Sequence, residues 1–393
     1  MKCILMNKNT EVLIAEYNTV LKGFSELNEI KNIDYAPVII KKLYQNNQND
    51  NAMLEQLTEW YKGRGIPSLR DDLDLLLAKL NVTTAEELLD KAFGLSLSDQ
   101  YWIKPYDSNV EYKDINFFEH DFNSADFTNA TFSNSNDYST EISLISPNNT
   151  TDGRLKKTWI IDNHKRYLLK GGFKNEIMQP FNEVLASMIC ERLGFYHTKY
   201  QIGIVANKVV SKCACFINKD TELVTAYQIL HNNCNKENAY EEYINILENH
   251  GIDKAREKIE DMFILDYIIM NEDRHLNNFG IIRDVNTLKW LDVAPIFDNG
   301  QSLNILDYND EDVIINGQGR FFYNVDNFDK MLDHIKDIKR FDISKLDGVV
   351  EEFDGLLHQY QNITHITDRR IDKICMLLFS RINKLKRIID EDN

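Results

Sequence analysis

The chain has 393 residues, with 45 Lys and Arg against 62 Asp and Glu and a formal net charge of −17. At 43% hydrophobic and 27% charged it carries ample apolar side chains for packed cores, which excludes global disorder, and its length suggests two or three domains. The acidic balance argues against sequence-independent binding to DNA or to an anionic lipid surface, because such binding rests on clustered Lys and Arg.

No stretch approaches the roughly 20 apolar residues of a membrane span, and Met1 to Asn7 leads into polar sequence instead of a signal-peptide core. A cytoplasmic protein is expected. The cysteines, Cys3, Cys190, Cys213, Cys215, Cys234 and Cys375, are too sparse for a disulfide framework and lack the paired spacing of a zinc site. Cys213 and Cys215 alternate in an apolar run and read as buried strand or hinge side chains.

In chain order, strands are expected over Lys2–Leu5, Glu11–Ala15 and Ala36–Ile40. Helical spacing follows at Asn51–Tyr61, Ser68–Leu80 and Thr84–Phe93, the last opened by a capping box from Thr83 to Glu86. The polar stretch Asn123–Asn149 reads as a linker or exposed loop. Three strands are then expected at Ser139–Ile145, Lys157–Ile161 and Tyr167–Lys170, joined by Ser146–Gly153 and Asp162–Lys165. A helix over Glu176–Leu193 stops at Gly194. Strand, turn, strand, helix is the layout of a nucleotide-clamping lobe. Further on come a long apolar-faced helix over Asp253–Met270, a hairpin over Ile281–Val293 that turns at Asp284–Thr287, and a helix over Thr367–Ile389. The stripe Ile371, Cys375, Leu378, Ile382 and Leu385 on that last helix faces a core.

The densest polar cluster is Asp273-Arg274-His275-Leu276-Asn277-Asn278, between the long helix and the hairpin, with Asp298-Asn299-Gly300 after the hairpin's second strand. Phosphoryl transfer needs such a set: a carboxylate for the attacking hydroxyl, an amide oxygen and a second carboxylate for Mg²⁺, and a Lys against the phosphates. Asp273 and Asn278 stand five apart, the interval between the catalytic Asp and the metal-binding Asn of protein kinases, and Asp298 arrives after one hairpin, as the Asp of D-F-G does. Asp and Asn also cap helix ends and brace turns, which is the plain structural alternative. Lys170 on a strand and Glu183 in the next helix complete the phosphate-binding pair of a kinase and weigh against it. The Ser146–Gly153 connection has one Gly, so it departs from G-x-G-x-x-G, although Thr150, Thr151 and backbone N–H groups suit phosphate oxygens. His275 and Arg274 read as residues that order the loop.

The segments Arg166–Lys170, Asn182–Ala186, Asn271–Gly280 and Ala294–Gly300 resemble the HipA-type serine/threonine kinases of bacteria, over roughly Ser139 to Ser380. Phosphatidylinositol kinases carry a similar D-R-H-x-x-N string. Ser146–Gly153 and Leu95–Trp102 also look like a Gram-positive branch of the HipA group. The resemblance implies a two-lobed kinase-like fold that takes ATP and Mg²⁺ and phosphorylates protein Ser/Thr, often itself, with some members acting as growth-arresting toxins. It makes Asp273 the catalytic base, Asn278 and Asp298 the metal ligands, Lys170 a phosphate contact oriented by Glu183, and Ser146, Thr150, Thr151 and Gly153 the phosphate loop. In HipA that loop is a site of inhibitory autophosphorylation, and Ser146, Thr150 and Thr151 are the hydroxyls available here. HipA itself is held in check by a DNA-binding antitoxin. This chain shows no helix-turn-helix, so an antitoxin or regulatory partner protein would have to bring any nucleic-acid contact.

The expected architecture is α+β: a two-lobed protein-kinase-like fold with a β-rich N-lobe and a helical C-lobe, plus an extra N-terminal module. Its divisions are residues 1–130 for the module, which has no match in HipA itself, 131–220 for the small lobe and 221–393 for the large lobe. The hinge is expected near Cys215–Asp220, with ATP between the lobes. Two rivals stand beside a protein kinase: a lipid or small-molecule kinase, disfavoured by the acidic charge, and a catalytically inactive kinase fold that serves as a binding module.

Overall fold

A computed structural model describes residues 1–122, 125–133, 144–151, 153–172, 177–231, 236–303 and 317–391. The described chain opens with β1 (Lys2–Asn7), β2 (Thr10–Asn18), β3 (Gly23–Ile30), α1 (Val38–Gln45), α2 (Asp50–Lys62), α3 (Leu73–Lys79) and α4 (Ala85–Lys91). It continues through β4 (Tyr101–Pro105), α5 (Tyr112–Ile115), α6 (Ala125–Phe132), β5 (Lys157–Asp162), β6 (Lys165–Lys170), α7 (Gln179–Leu193), β7 (Tyr200–Val205) and β8 (Lys208–Ala214). Then come β9 (Thr221–Thr225), α8 (Ala226–Leu230), α9 (Ala239–Asn249), α10 (Ala255–Ile269), β10 (Gly280–Asp284) and β11 (Trp290–Val293). The last are β12 (Gln318–Phe321), β13 (Asn324–Asn327), α11 (Phe328–Leu332), α12 (Val349–Gln359), α13 (Gln361–Thr364) and α14 (Asp368–Glu391). Two compact units result: residues 1–169, 215–224 and 282–291 form the first, and 170–214, 225–281 and 292–393 the second.

In the first unit β1 and β2 pair antiparallel, β1 also pairs antiparallel with β4, and the sheet order is β3-β2-β1-β4. β1 is buried on both faces, so its side chains split by the strand's period of two. Cys3 and Leu5 join a core with Ile39, Ile40 and Leu43 of α1 and Met53, Leu54 and Leu57 of α2. Ile4 and Met6 join another with Leu95, Trp102, Tyr112 and Phe117. A third cluster gathers Leu73, Leu76 and Leu77 of α3, Leu88 of α4 and Phe127 of α6. Segments 215–224 and 282–291 are tied in by a buried ion pair, Arg283 Nε to Glu222 Oε1 at 2.6 Å, and by Arg283 donating to the Tyr101 hydroxyl at 3.0 Å. The Leu223 N–H also donates to the Ser98 carbonyl at 2.8 Å.

Four expectations are corrected here. Ala36–Ile40 is no strand: Pro37 is followed directly by α1, and Val38, Ile39 and Ile40 are all buried, which alternation cannot achieve but a helix seated on a sheet can. The helix expected from Ser68 begins only at Leu73, since Arg70 closes a turn on Pro67 and Asp72 has a left-handed φ of 55°. The capping box sits one residue later than expected. Thr84 is the cap, accepting from the Glu87 N–H at 3.2 Å, and the Glu87 carboxylate returns to Thr83. Thr84→Ala is therefore expected to lower stability by about 1 kcal/mol in urea denaturation. Within the stretch read as an exposed linker, α6 buries Phe127, Thr128 and Phe132, and residues 146–149 are buried. The strand expected over Ser139–Ile145 falls largely on residues 139–143, outside the described residues; Leu144 and Ile145 lie in no strand.

The second unit is mainly helical. β7 and β8 form an antiparallel hairpin, with Cys213 buried near its end. α10 is buried on every side through Met262, Phe263, Ile264, Leu265, Tyr267, Ile268 and Ile269, and it packs on α7, α9, α11 and α14. α14 contributes the expected stripe, with Ile371, Leu378 and Leu385 fully buried. Its Arg381 is buried as well, donating both Nε and Nη2 to the Tyr267 carbonyl. α7 ends at Gly194, whose φ of 79° supplies the left-handed stop; Glu176, its expected start, lies outside the described residues. No helix among the described residues is long and apolar enough to cross a membrane.

Candidate phosphoryl-transfer site

Lys170, Glu183, Asp273, Asn278 and Asp298 all belong to the second unit. β6 delivers Lys170 and α7 delivers Glu183, and the ammonium lies 2.8 Å from Glu183 Oε1 and 2.8 Å from Asp298 Oδ1. Burial opposes the ammonium's charge, but Asp298 and Glu183 outweigh it and hold the lysine well above its ordinary pKa. The other Glu183 oxygen accepts the Asn299 N–H at 2.9 Å, so one buried carboxylate positions both the lysine and the segment after Asp298. Asn182, its neighbour, donates to the carbonyls of Gly300 at 2.9 Å and Ser302 at 2.6 Å. Asp298 itself has a left-handed φ of 58°, which Asp tolerates better than most residues.

α10 stops at Met270, which is left-handed at φ 51°, and the chain enters the loop that carries Asp273. The loop is held by its own backbone. The carbonyl of Asp273 accepts from the His275 N–H at 2.8 Å and from Asn278 Nδ2 at 2.9 Å, and the Asp273 N–H donates to Asn271 Oδ1 at 3.0 Å. With Asn278 Nδ2 so engaged, its amide oxygen is the end left to a ligand. The Asp273 carboxyl lies above the ordinary aspartate range, first through burial and then through the charge of Asp298, with His275 and Arg320 opposing. His275 Nε2 stands 3.9 Å from Asp273 Oδ2.

Arg274 joins these parts. Nε and Nη2 grip the Asp266 carboxylate at 2.8 Å each, Nη1 donates to the carbonyls of Asn278 at 3.0 Å and Phe297 at 2.6 Å, and Nη2 also donates to Asn299 Oδ1 at 2.6 Å. Every N–H of the guanidinium is used, and both Arg274 and Asp266 are 0% exposed. Sequence reasoning identified Arg274 as a loop-ordering residue but missed Asp266, a carboxylate inside an otherwise apolar helix. It also missed Asn271, Asn299 and Arg320, whose Nε is 3.7 Å from Asp273 Oδ1. The one available signal was Asp266 itself, since an acid amid α10's apolar run needs a buried partner.

The expected phosphate-loop residues lie in the first unit. Ser146, Thr150 and Thr151 are buried and bonded: Ser146 Oγ accepts the Asn148 N–H, Thr150 Oγ1 donates to the Leu95 carbonyl at 2.7 Å, and Thr151 Oγ1 accepts from Arg70 Nη1 at 2.6 Å. Gly153 has φ 90°, a conformation that suits glycine, and its carbonyl accepts from Arg70.

Mg²⁺ prefers a few hard oxygen donors supplemented by phosphate and water. The Asn278 amide and the Asp298 carboxylate are of that chemistry, so the donor set fits. Among the described residues no cluster of three or more His, Cys, Asp or Glu forms an all-protein metal cage.

The α+β architecture, with a strand lysine paired to a helix glutamate and to a downstream aspartate, defines the kinase-like class. In sequence, 131 residues are 30% identical to the serine/threonine-protein kinase CtkA of Helicobacter pylori, covering 31% of this chain; the chain spans 40% of that relative's length. The crystal structure of the H. pylori proinflammatory kinase CtkA aligns over 60% of this chain and 94% of its own, at 21% identity and a TM-score of 0.45. HipA of the Shewanella oneidensis MR-1 toxin–antitoxin system, solved with HipB and operator DNA, aligns over 99% of this chain and 98% of its own, at 13% identity and a TM-score of 0.54. No family model matches. The chain has the HipA-type kinase fold, and because the alignment runs over nearly all of both chains, residues 1–130, expected as a module without a match in HipA, fall within the aligned span.

Proposed function

We propose that this protein is an ATP- and Mg²⁺-dependent serine/threonine protein kinase of HipA type. The observation that carries the reading is the ammonium of Lys170, bonded at once to Glu183 and Asp298, in the unit that also holds the Asp273–Asn278 loop. The sequence similarity to a named serine/threonine kinase supports it. In this reading residues 131–220 form the small lobe, 221–393 the large lobe, and 1–130 an added module.

Asp273 orients the acceptor hydroxyl and takes its proton as the oxygen attacks the γ-phosphorus. The bond from that phosphorus to the β–γ bridging oxygen breaks, and its electron pair leaves on ADP. Asn278 and Asp298 would hold Mg²⁺, which when bound neutralises phosphate charge. Lys170, kept charged by its two carboxylates, neutralises phosphate oxygens, and Arg274 keeps the base and the metal-binding segment in register. Catalysis is thus mainly positioning and charge neutralisation.

The test is incubation of wild type and Lys170→Met with radiolabelled ATP and Mg²⁺, following label into the protein and into a cell lysate. Wild type is expected to label protein, and Lys170→Met to fall about a hundredfold. Bound ATP without any label would favour the binding module, and label in lipid the lipid-kinase rival.

Autophosphorylation is part of the proposal. Ser146, Thr150 and Thr151 are all buried, so a dianionic phosphate on any of them would force the loop out of its packing. Mass spectrometry is expected to find phosphate between Ser146 and Lys157 after incubation with ATP; active protein without it there would count against the idea. HipA was solved with HipB, and the proposal includes a regulatory partner protein for this chain, to be sought by affinity capture.

A further inference from the structure

β12 alternates strictly: Gln318 and Arg320 are exposed, Gly319 and Phe321 buried. Phe321 packs on Phe263 with ring centroids 4.7 Å apart and stacks on His334 at 4.2 Å, which anchors that face of the strand in the aromatic core. Arg320 is left on the other face, toward Asp273. The approach is close because Gly319 has no side chain: a Cβ there would stand 2.8 Å from Phe328 Cζ and 3.1 Å from the Asn271 carbonyl. Gly317 likewise lies against Met270 and Phe328. The strand is therefore fitted to residues 270–271, where the Asp273 loop begins.

Arg320 and Asp273 are both about half exposed, at 50% and 46%, and their 3.7 Å separation is too long for a hydrogen bond. The guanidinium is held beside the carboxylate without being spent on it. A hydroxyl donating to Asp273 would have the phosphoryl group it attacks within reach of those N–H groups. Arg suits that task, since its planar fork matches phosphoryl oxygens.

We infer that Arg320 is a further catalytic residue of the phosphoryl transfer proposed above, donating to the non-bridging oxygens of the phosphoryl group as it passes to the acceptor. It exchanges no proton: the hydroxyl proton still goes to Asp273 and the electron pair to ADP. The inference rests on the kinase reading, and its test separates the two.

Self-labelling rates of full-length wild type, Arg320→Gln, Arg320→Lys and Asp273→Asn are measured with ATP and with ATPγS, alongside binding of a fluorescent ADP analogue. Arg320→Gln is expected to slow transfer from ATP by at least about tenfold with the ADP-analogue affinity unchanged. It should also narrow the ATP to ATPγS rate ratio, because sulfur accepts a guanidinium hydrogen bond weakly and the variant has lost that part of the discrimination. Arg320→Lys should recover part of the rate. An equal fall with both nucleotides would show that Arg320 acts only through Asp273 and would overturn the inference, as would an unchanged rate. In both of those outcomes an inactive Asp273→Asn leaves the kinase reading standing. A wild type that binds nucleotide but transfers nothing would remove both.

Discussion

Replacing Asp273 by Asn is expected to lower the rate of protein labelling by about a thousandfold, the scale of a lost general base, while leaving nucleotide affinity nearly unchanged. The loop should keep its shape. Its bonds at residue 273 run through the backbone N–H and carbonyl, to Asn271, His275 and Asn278, and none needs the carboxylate. The substitution thus removes the carboxylate's negative charge and little else. Single-turnover labelling with saturating ATP, paired with a nucleotide titration, reads the two effects separately. Labelling within about tenfold of wild type would show that Asp273 is not the base.

Asp266→Ala is expected to give the largest loss of stability, about 3–5 kcal/mol, because it leaves the Arg274 guanidinium buried without its counter-charge. Asn271 Nδ2 would also lose its bond to Asp266 Oδ1, at 2.9 Å. Urea denaturation followed by tryptophan fluorescence should show the midpoint moving with little change in slope. Glu241→Ala makes the control. Its bidentate pair with Arg256, at 2.9 and 2.7 Å, has the carboxylate 56% exposed, so its removal should cost less than about 1 kcal/mol. Equal losses for the two variants would mean that the Asp266–Arg274 pair does not brace the loop.

The contrast explains what could be read from sequence. The bonds at Asp273 within the loop Asn271–Asn278 span two to five residues, so its chemistry is legible as a motif, whereas the Arg274 bonds to Asp266, Phe297 and Asn299 reach outside it. The Lys170–Glu183 pair was legible too, as a strand followed by a helix carrying the right charges. Arg320 was not: its place depends on two glycines packing against Met270, Asn271 and Phe328, a fit that no local pattern announces. Polar composition misled at residues 123–149. Asn148 and Asn149 there are buried because their amides bond to the backbone of Trp159 and of Leu88, and α6 carries Phe127 and Phe132 into a core. For Ala36–Ile40, an apparent alternation suggested a strand, but the buried positions extend to Leu43 and wrap as a helix.

The chain's path between its two units bears on how it is made. The first unit includes residues 282–291, whose Arg283 pairs with Glu222 and Tyr101, so it cannot close until residue 291 has left the ribosome. The second unit awaits α14, which packs on α10. A nascent chain halted before residue 283 holds Glu222 in want of its cation and the long helix α10 without α11 and α14 packed on it. Neither unit therefore matures piece by piece, and the apolar surface left exposed in the meantime is of the kind that chaperones hold.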